Sequence, residues 1–141
     1  MDVLWPELPP DAAAANLRKA VHFARQALAP EHLILRQEVL ELTAERLWVD
    51  VHAFHAAAQA GDLAAAIGLY AGELLPEDRF EDWAEQHREQ LAARFSRLLL
   101  ERAAELEAVG DLRGAAGALE RLAALDPPGQ QAIKDRLLTL A

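Results

Sequence analysis

Arg18, Lys19 and Arg25 fall, with His22 and Gln26, inside the stretch DAAAANLRKAVHFARQALAP, residues 11–30, which has no acid after Asp11. The chain around them is acidic: 141 residues carry 23 Asp and Glu against 14 Lys and Arg, a formal charge of −9. At about 100° per residue, Arg18, Lys19, His22, Arg25 and Gln26 gather on one side of a helix, and Leu17, Ala20, Val21, Ala24 and Leu28 on the other. Cations on one helix face can contact phosphates, and an arginine or an amide among them can read base edges in a major groove. A solvated polar face, with Arg25 favoured near the C-terminal end of the helix dipole, explains the same pattern without a ligand. The acidic average argues against broad nucleic-acid affinity and confines phosphate contact to this local face.

Other residues could do chemistry, and each has a simpler structural explanation. His52 and His55 lie three apart on one helix with Asp50 nearby, a spacing that suits metal ligands, but no third and fourth ligand is recognisable. His87, between Trp83 and Leu91, is expected to be a hydrogen-bonded core histidine. Glu77, Asp78, Glu81, Asp82 and Glu85 could supply an acid and a base, but they head a helix, where its dipole favours negative charge. Ser96 stands mid-helix between Phe95 and Arg97, with no nucleophile motif around it and no Gly-rich phosphate loop in the chain. No enzymatic activity, cofactor or metal is expected. Trp48, Phe54 and Trp83 are expected to pack where the strand region meets the helical module, and an exposed Trp5 would mark a partner surface.

The elements that position these residues follow from pattern and punctuation. Asp11 after Pro9-Pro10 reads as the N-cap of a helix that ends by Ala29-Pro30. HLILRQEVLELTAERLWVDV then alternates and is rich in Leu, Ile and Val; it predicts two or three short strands, about 33–36, 39–43 and 47–49. From Asp50 onward the pattern is helical, with helices about 50–60, 63–72, 80–109, 112–125 and 130–140. The long one could break in the low 90s, and Asp126-Pro127-Pro128 stops its successor. Residues 1–49 and 50–141 are therefore read as two parts.

Two segments look alike: AGDLAAAIGLY (60–70) and VGDLRGAAGAL (109–119) each give a helix end, Gly-Asp-Leu, then Ala66 or Ala115 where a small side chain lets paired helices approach. That pattern is tetratricopeptide-like. The glycines are 49 residues apart instead of the usual ~34, so an irregular set of helix pairs is expected rather than a tandem array.

No run approaches the ~18 apolar residues of a membrane span, and no basic-then-apolar leader opens the sequence. The expectation is a cytoplasmic protein with no membrane partner. The absence of cysteine removes disulfides, thiolate zinc sites and cysteine nucleophiles.

LWPELPPDAAAANLRKAVHFARQAL resembles the stretch around the recognition helix of the OmpR-type winged helix in SARP-type (antibiotic regulatory protein) transcription activators, and HLILRQEVLELTAERLWVDVHAF resembles their wing and its exit strand. The run from VDVHAF through LYAGELLPEDRFEDWAEQHREQL to ALERLAALDP is similar to the bacterial transcriptional activator domain that follows in those proteins. Asp50 with Phe54, Gly72-Glu73-Leu74-Leu75 and Asp82-Trp83-Ala84 carry the likeness most specifically, while Tyr70 and Ala71 stand where the family tends to have Trp and Arg. The family's winged helix begins with strands and a first helix that have no counterpart ahead of LWPEL. The apolar face of helix 11–29 should then find another cover or stay exposed, with weak DNA binding.

The resemblance implies a mostly α fold: a tetratricopeptide-like helical module preceded by a basic helix and a short β-hairpin, the partial winged helix. It also implies a transcriptional activator whose complete form binds promoter DNA through Arg18, Lys19, His22, Arg25 and Gln26. The module would then serve self-association or protein contacts. The rival expectation is a stand-alone helical scaffold for a protein partner; a ligand-sensing module would instead show a closed apolar cavity between helix pairs.

Overall fold

A computed structural model describes residues 4–28, 32–36, 39–43, 47–125 and 130–140. The chain forms two compact units, Met1–Val49 and Asp50–Ala141. It is mostly helical, with one antiparallel hairpin after the first helix.

In the first unit, α1 spans Pro10–Ala27. Pro10 opens the helix: its fixed φ suits the first turn, and its missing N–H is one the helix would leave unpaired. Asp11 is therefore not the N-cap; it lies one residue inside, where its charge still favours the N-terminal dipole. The Leu28 amide closes the other end on the Ala24 carbonyl at 2.8 Å, while the predicted stop at Ala29-Pro30 lies outside the described residues. Strands β1, Leu33–Arg36, and β2, Val39–Leu42, pair in the register Leu33↔Leu42 to Arg36↔Val39. The Thr43 amide adds one more bond to the His32 carbonyl at 2.8 Å. The third strand expected at 47–49 does not form: β-favouring residues such as Trp48 and Val49 find no ladder, and Trp48 is 73% exposed.

The second unit is built from helices α2 (Asp50–Gln59), α3 (Leu63–Leu69), α4 (Asp82–Ala108), α5 (Leu112–Leu125) and α6 (Gln130–Leu140). The two Gly-Asp-Leu segments turn the chain in the same way. Gly61 and Gly110 take left-handed φ values of 76° and 81°, a conformation costly for other residues. Asp62 then accepts from the Ala65 amide at 3.0 Å, and Asp111 from the Gly114 amide at 2.9 Å. Ala66 and Ala115 are both fully buried, at 0% exposure. The likeness ends at the leucines: Leu63 is buried and Leu112 exposed.

Helix α3 stops at Leu69, short of the predicted Gly72, and Tyr70 turns the chain into extended backbone. Helix α4 runs unbroken for 27 residues, because neither Pro nor Gly interrupts it and Ala92-Ala93 are strong helix formers. Its buried stripe is Ala84, Arg88, Leu91, Phe95, Leu98, Leu99 and Ala103. That stripe corrects two expectations. His87 is exposed beside it rather than in the core, and Phe80, 97% exposed, precedes the helix.

Phe54, Leu63, Ala66, Leu91, Phe95, Leu99, Leu119, Leu122 and Ile133 belong to one hydrophobic core. The Tyr70 ring stacks on Phe95 with centroids 3.9 Å apart, and the Arg121 guanidinium sits 4.9 Å from the Phe95 centroid. Arg121 also donates to the Tyr70 carbonyl at 3.1 Å, tying α5 to the end of α3.

Candidate nucleic-acid interface

Along α1 the burial follows the amphipathic pattern only in part. Leu17, Val21, Ala24 and Leu28 are half-buried, Ala20 is exposed, and Ala13 is the one buried residue of the helix. Arg18, Lys19, His22, Arg25 and Gln26 are all exposed. Among the described residues none of the three cations pairs with a carboxylate.

The five residues do not play one role. Arg25 turns toward the hairpin and donates to the Leu33 carbonyl through Nε at 3.3 Å and Nη2 at 3.1 Å. Its fork holds the last turn of α1 against β1. The signal for this was its angular position: eight residues after Leu17, it lies about 80° from that apolar residue, at the border of the polar face. His22 and Gln26 hold each other across one turn at 3.1 Å, which orients the imidazole and the amide together. Arg18 and Lys19 have no hydrogen-bonded or ion-pair partner among the described residues.

The apolar side of α1 and the hairpin enclose an open groove of about 330 Å³, lined by Leu17, Val21, Leu35 and Leu40 with Arg18, His22 and Arg25 at its rim. The face expected to need another cover therefore remains open within this unit. Leu33 is its only buried strand residue among those described.

No protein-family model matches the chain, and no curated protein matches it.

The other candidates lie in the helical unit. His52 is exposed and His55 half-buried; among the described residues no group of three or more His, Cys, Asp or Glu could hold a metal. The His55 pKa lies below its ordinary value, first because burial disfavours the imidazolium and then because Arg94 and His52 repel it. In the acidic segment Glu81 accepts from the Trp83 indole at 3.0 Å, and the Asp78 carbonyl accepts from Arg88. Sequence reasoning missed Arg88. Buried at 8% exposure in the apolar stripe of α4, it faces Glu73 at 3.9 Å, while Glu73 also binds Arg79 at 2.8 Å. One buried guanidinium thus pins the loop between α3 and α4. A cleft of about 300 Å³ lies beside that loop, walled by Val51, Phe54, Tyr70, Leu74 and Leu91; it is open to solvent rather than a closed ligand chamber.

Of the three aromatics expected at the junction, Phe54 is buried in the core of the second unit, whereas Trp48 and Trp83 are exposed. Trp5 is half-buried. No described helix is long and apolar enough to cross a membrane.

Proposed function

We propose that the chain is part of a bacterial transcriptional activator in which α1 is a recognition helix, the β-hairpin is the wing, and the helical unit serves self-association or contact with a protein partner. The reading rests on one observation above the rest: a basic helix whose cations meet no carboxylate among the described residues lies against an antiparallel hairpin and is fastened to it by Arg25. In an acidic chain, surface cations have carboxylates in plenty to pair with. Arg18 and Lys19, unpaired among the described residues, keep positive potential for phosphate. The division of labour is then specific. Arg18 and Lys19 take phosphates, His22 and Gln26 face base edges, and Arg25 positions the helix. No step of this reading needs an enzyme, a cofactor or a metal.

The helical unit supports the second half of the proposal through its paired helices, whose matching Gly-Asp turns and buried alanines are tetratricopeptide-like in design. Such units present helix faces to proteins.

The test is a residue-by-residue map. Adding a mixed-sequence DNA duplex to isotopically labelled protein is expected to shift amide resonances of Arg18, Lys19, His22 and Gln26, leaving α5 unmoved. An absence of shifts on α1 would overturn this reading, and an absence of any shift would favour a scaffold that binds protein and not DNA.

A further inference from the structure

The arginines of the helical unit are not used alike. Arg79, Arg88, Arg102 and Arg136 face carboxylates, at 2.8, 3.9, 3.1 and 2.9 Å, and Arg121 is spent on Phe95 and the Tyr70 carbonyl. Arg94 and Arg97, one turn apart on α4, have no carboxylate partner among the described residues, although the chain holds 23 acids to 14 bases.

Both arginines line a single cavity of about 310 Å³ with Ala58 of α2 and with Leu98 and Glu101 of α4. His55 stands one turn before Ala58 on α2, its ring edge-on to Phe54 at 5.4 Å, with Nδ1 enclosed and lacking a hydrogen-bond partner. Burial is the first cause that holds the His55 pKa down, and repulsion from Arg94 and from His52 on the same helix adds to it, so Arg94 lies close enough to act on the imidazole. Two guanidinium groups against the single carboxylate of Glu101 leave net positive charge at this partly apolar place. Like the cleft beside the loop between α3 and α4, it is open to solvent.

We propose that this cavity between α2 and α4 binds the oxyanion of a small phosphate- or carboxylate-bearing molecule, with Arg94 and Arg97 as donors and Ala58 and Leu98 as its apolar wall. Guanidinium forks match both oxyanions, and their charge-assisted bonds are about twice as strong as neutral ones. Glu101, one turn beyond Arg97, limits the ligand. It repels a second anionic group and accepts from a hydroxyl or amine, so the ligand carries one anionic end and a donor at the other. A nucleic-acid backbone does not fit that description, which separates this site from α1.

Side-chain NMR of the full chain tests the site, using the Nε–H signals of Arg94 and Arg97 and the ring of His55. The probes are inorganic phosphate and, separately, acetate, at ionic strength held constant with sodium chloride. The expected result is saturable shifts with one dissociation constant at all three residues, and a rise in the His55 titration midpoint, because a bound anion favours the imidazolium. A response to phosphate alone assigns a phosphate ester; a response to both assigns a carboxylate as well. Arg94→Ala/Arg97→Ala should weaken binding about tenfold or more. Arg94→Lys/Arg97→Lys, which keeps the charge and loses the fork, should retain weaker binding. Arg113→Ala, an exposed position on α5 outside the cavity, should change nothing. Shifts that never saturate, or that persist unchanged in Arg94→Ala/Arg97→Ala, would overturn the proposal.

Discussion

The Arg25 guanidinium reaches the Leu33 carbonyl with two nitrogens, at 3.3 and 3.1 Å, and so fastens the last turn of α1 to the first residue of β1. A carbonyl at a strand end accepts charge-assisted bonds well, and the planar fork fixes direction as well as distance. Few other contacts hold this unit, since Ala13 and Leu33 are its only buried residues among those described. Arg25→Ala is therefore expected to free the hairpin. Hydrogen exchange at the Ile34 and Glu41 amides, which face each other in the ladder, should accelerate, with about 1 kcal/mol lost locally, given the exposure of the pair. Arg25→Lys should restore only part of the protection.

Phe95 meets both the Tyr70 ring and the Arg121 guanidinium and is 1% exposed. Phe95→Ala should cost about 3–5 kcal/mol by chemical denaturation. Arg121→Ala should cost about 1 kcal/mol, because it removes one bond to a backbone carbonyl and a partly exposed cation–π contact.

Arg88 predicts a loop phenotype. Arg88→Met keeps the apolar volume in α4 but leaves the Asp78 carbonyl without its buried donor and Glu73 without the nearby guanidinium charge. A loss of about 2 kcal/mol is expected, with faster proteolysis between residues 71 and 81 and little change in helical circular dichroism. Unchanged proteolysis would show that Arg79 alone holds the loop.

The glycines divide by backbone geometry. Gly61→Ala, at φ 76°, should destabilise by about 1–2 kcal/mol. Gly117→Ala, in the interior of α5 with nothing within 4 Å of the added Cβ, should stabilise by about 0.5–1 kcal/mol.

His55 sets a pH dependence. Its folded pKa lies below the unfolded value of 6.5, so the unfolded chain takes up its proton first as pH falls. The stability associated with neutral His55 is complete above 6.5 and declines as pH drops from there to the folded pKa. Denaturation between about pH 8 and about pH 5 should show this decline, and His55→Gln should reduce it.

How far the sequence carried the fold depends on which signal wrote each element. Gly61-Asp62 and Gly110-Asp111 announced both helical turns, because a left-handed glycine followed by a capping aspartate is local chemistry. Leu33–Arg36 and Val39–Leu42 were legible from alternation. What failed was non-local. Residues 47–49 have strand propensity but no partner strand, and the core position expected at His87 falls one residue later, at Arg88, whose charge disguised it as a surface residue. At the candidate interface the pattern identified the basic face. It could not show that Arg25 spends its fork on Leu33, since the binding carbonyl carries no sequence signature. Arg94 and Arg97 read only as members of an Arg-rich helix until α2 brought Ala58 beside them.

The central claim is that α1 meets phosphate, and salt dependence measures it most directly. Anisotropy titrations of mixed-sequence duplex DNA, from about 50 to about 200 mM salt, would compare the chain with Arg18→Ala/Lys19→Ala and with Arg113→Ala. The account predicts weak binding, with a log–log salt slope that falls by about 2 when Arg18 and Lys19 are removed and is unchanged by Arg113→Ala. An undiminished slope in Arg18→Ala/Lys19→Ala, or no binding at the lowest salt, would contradict it.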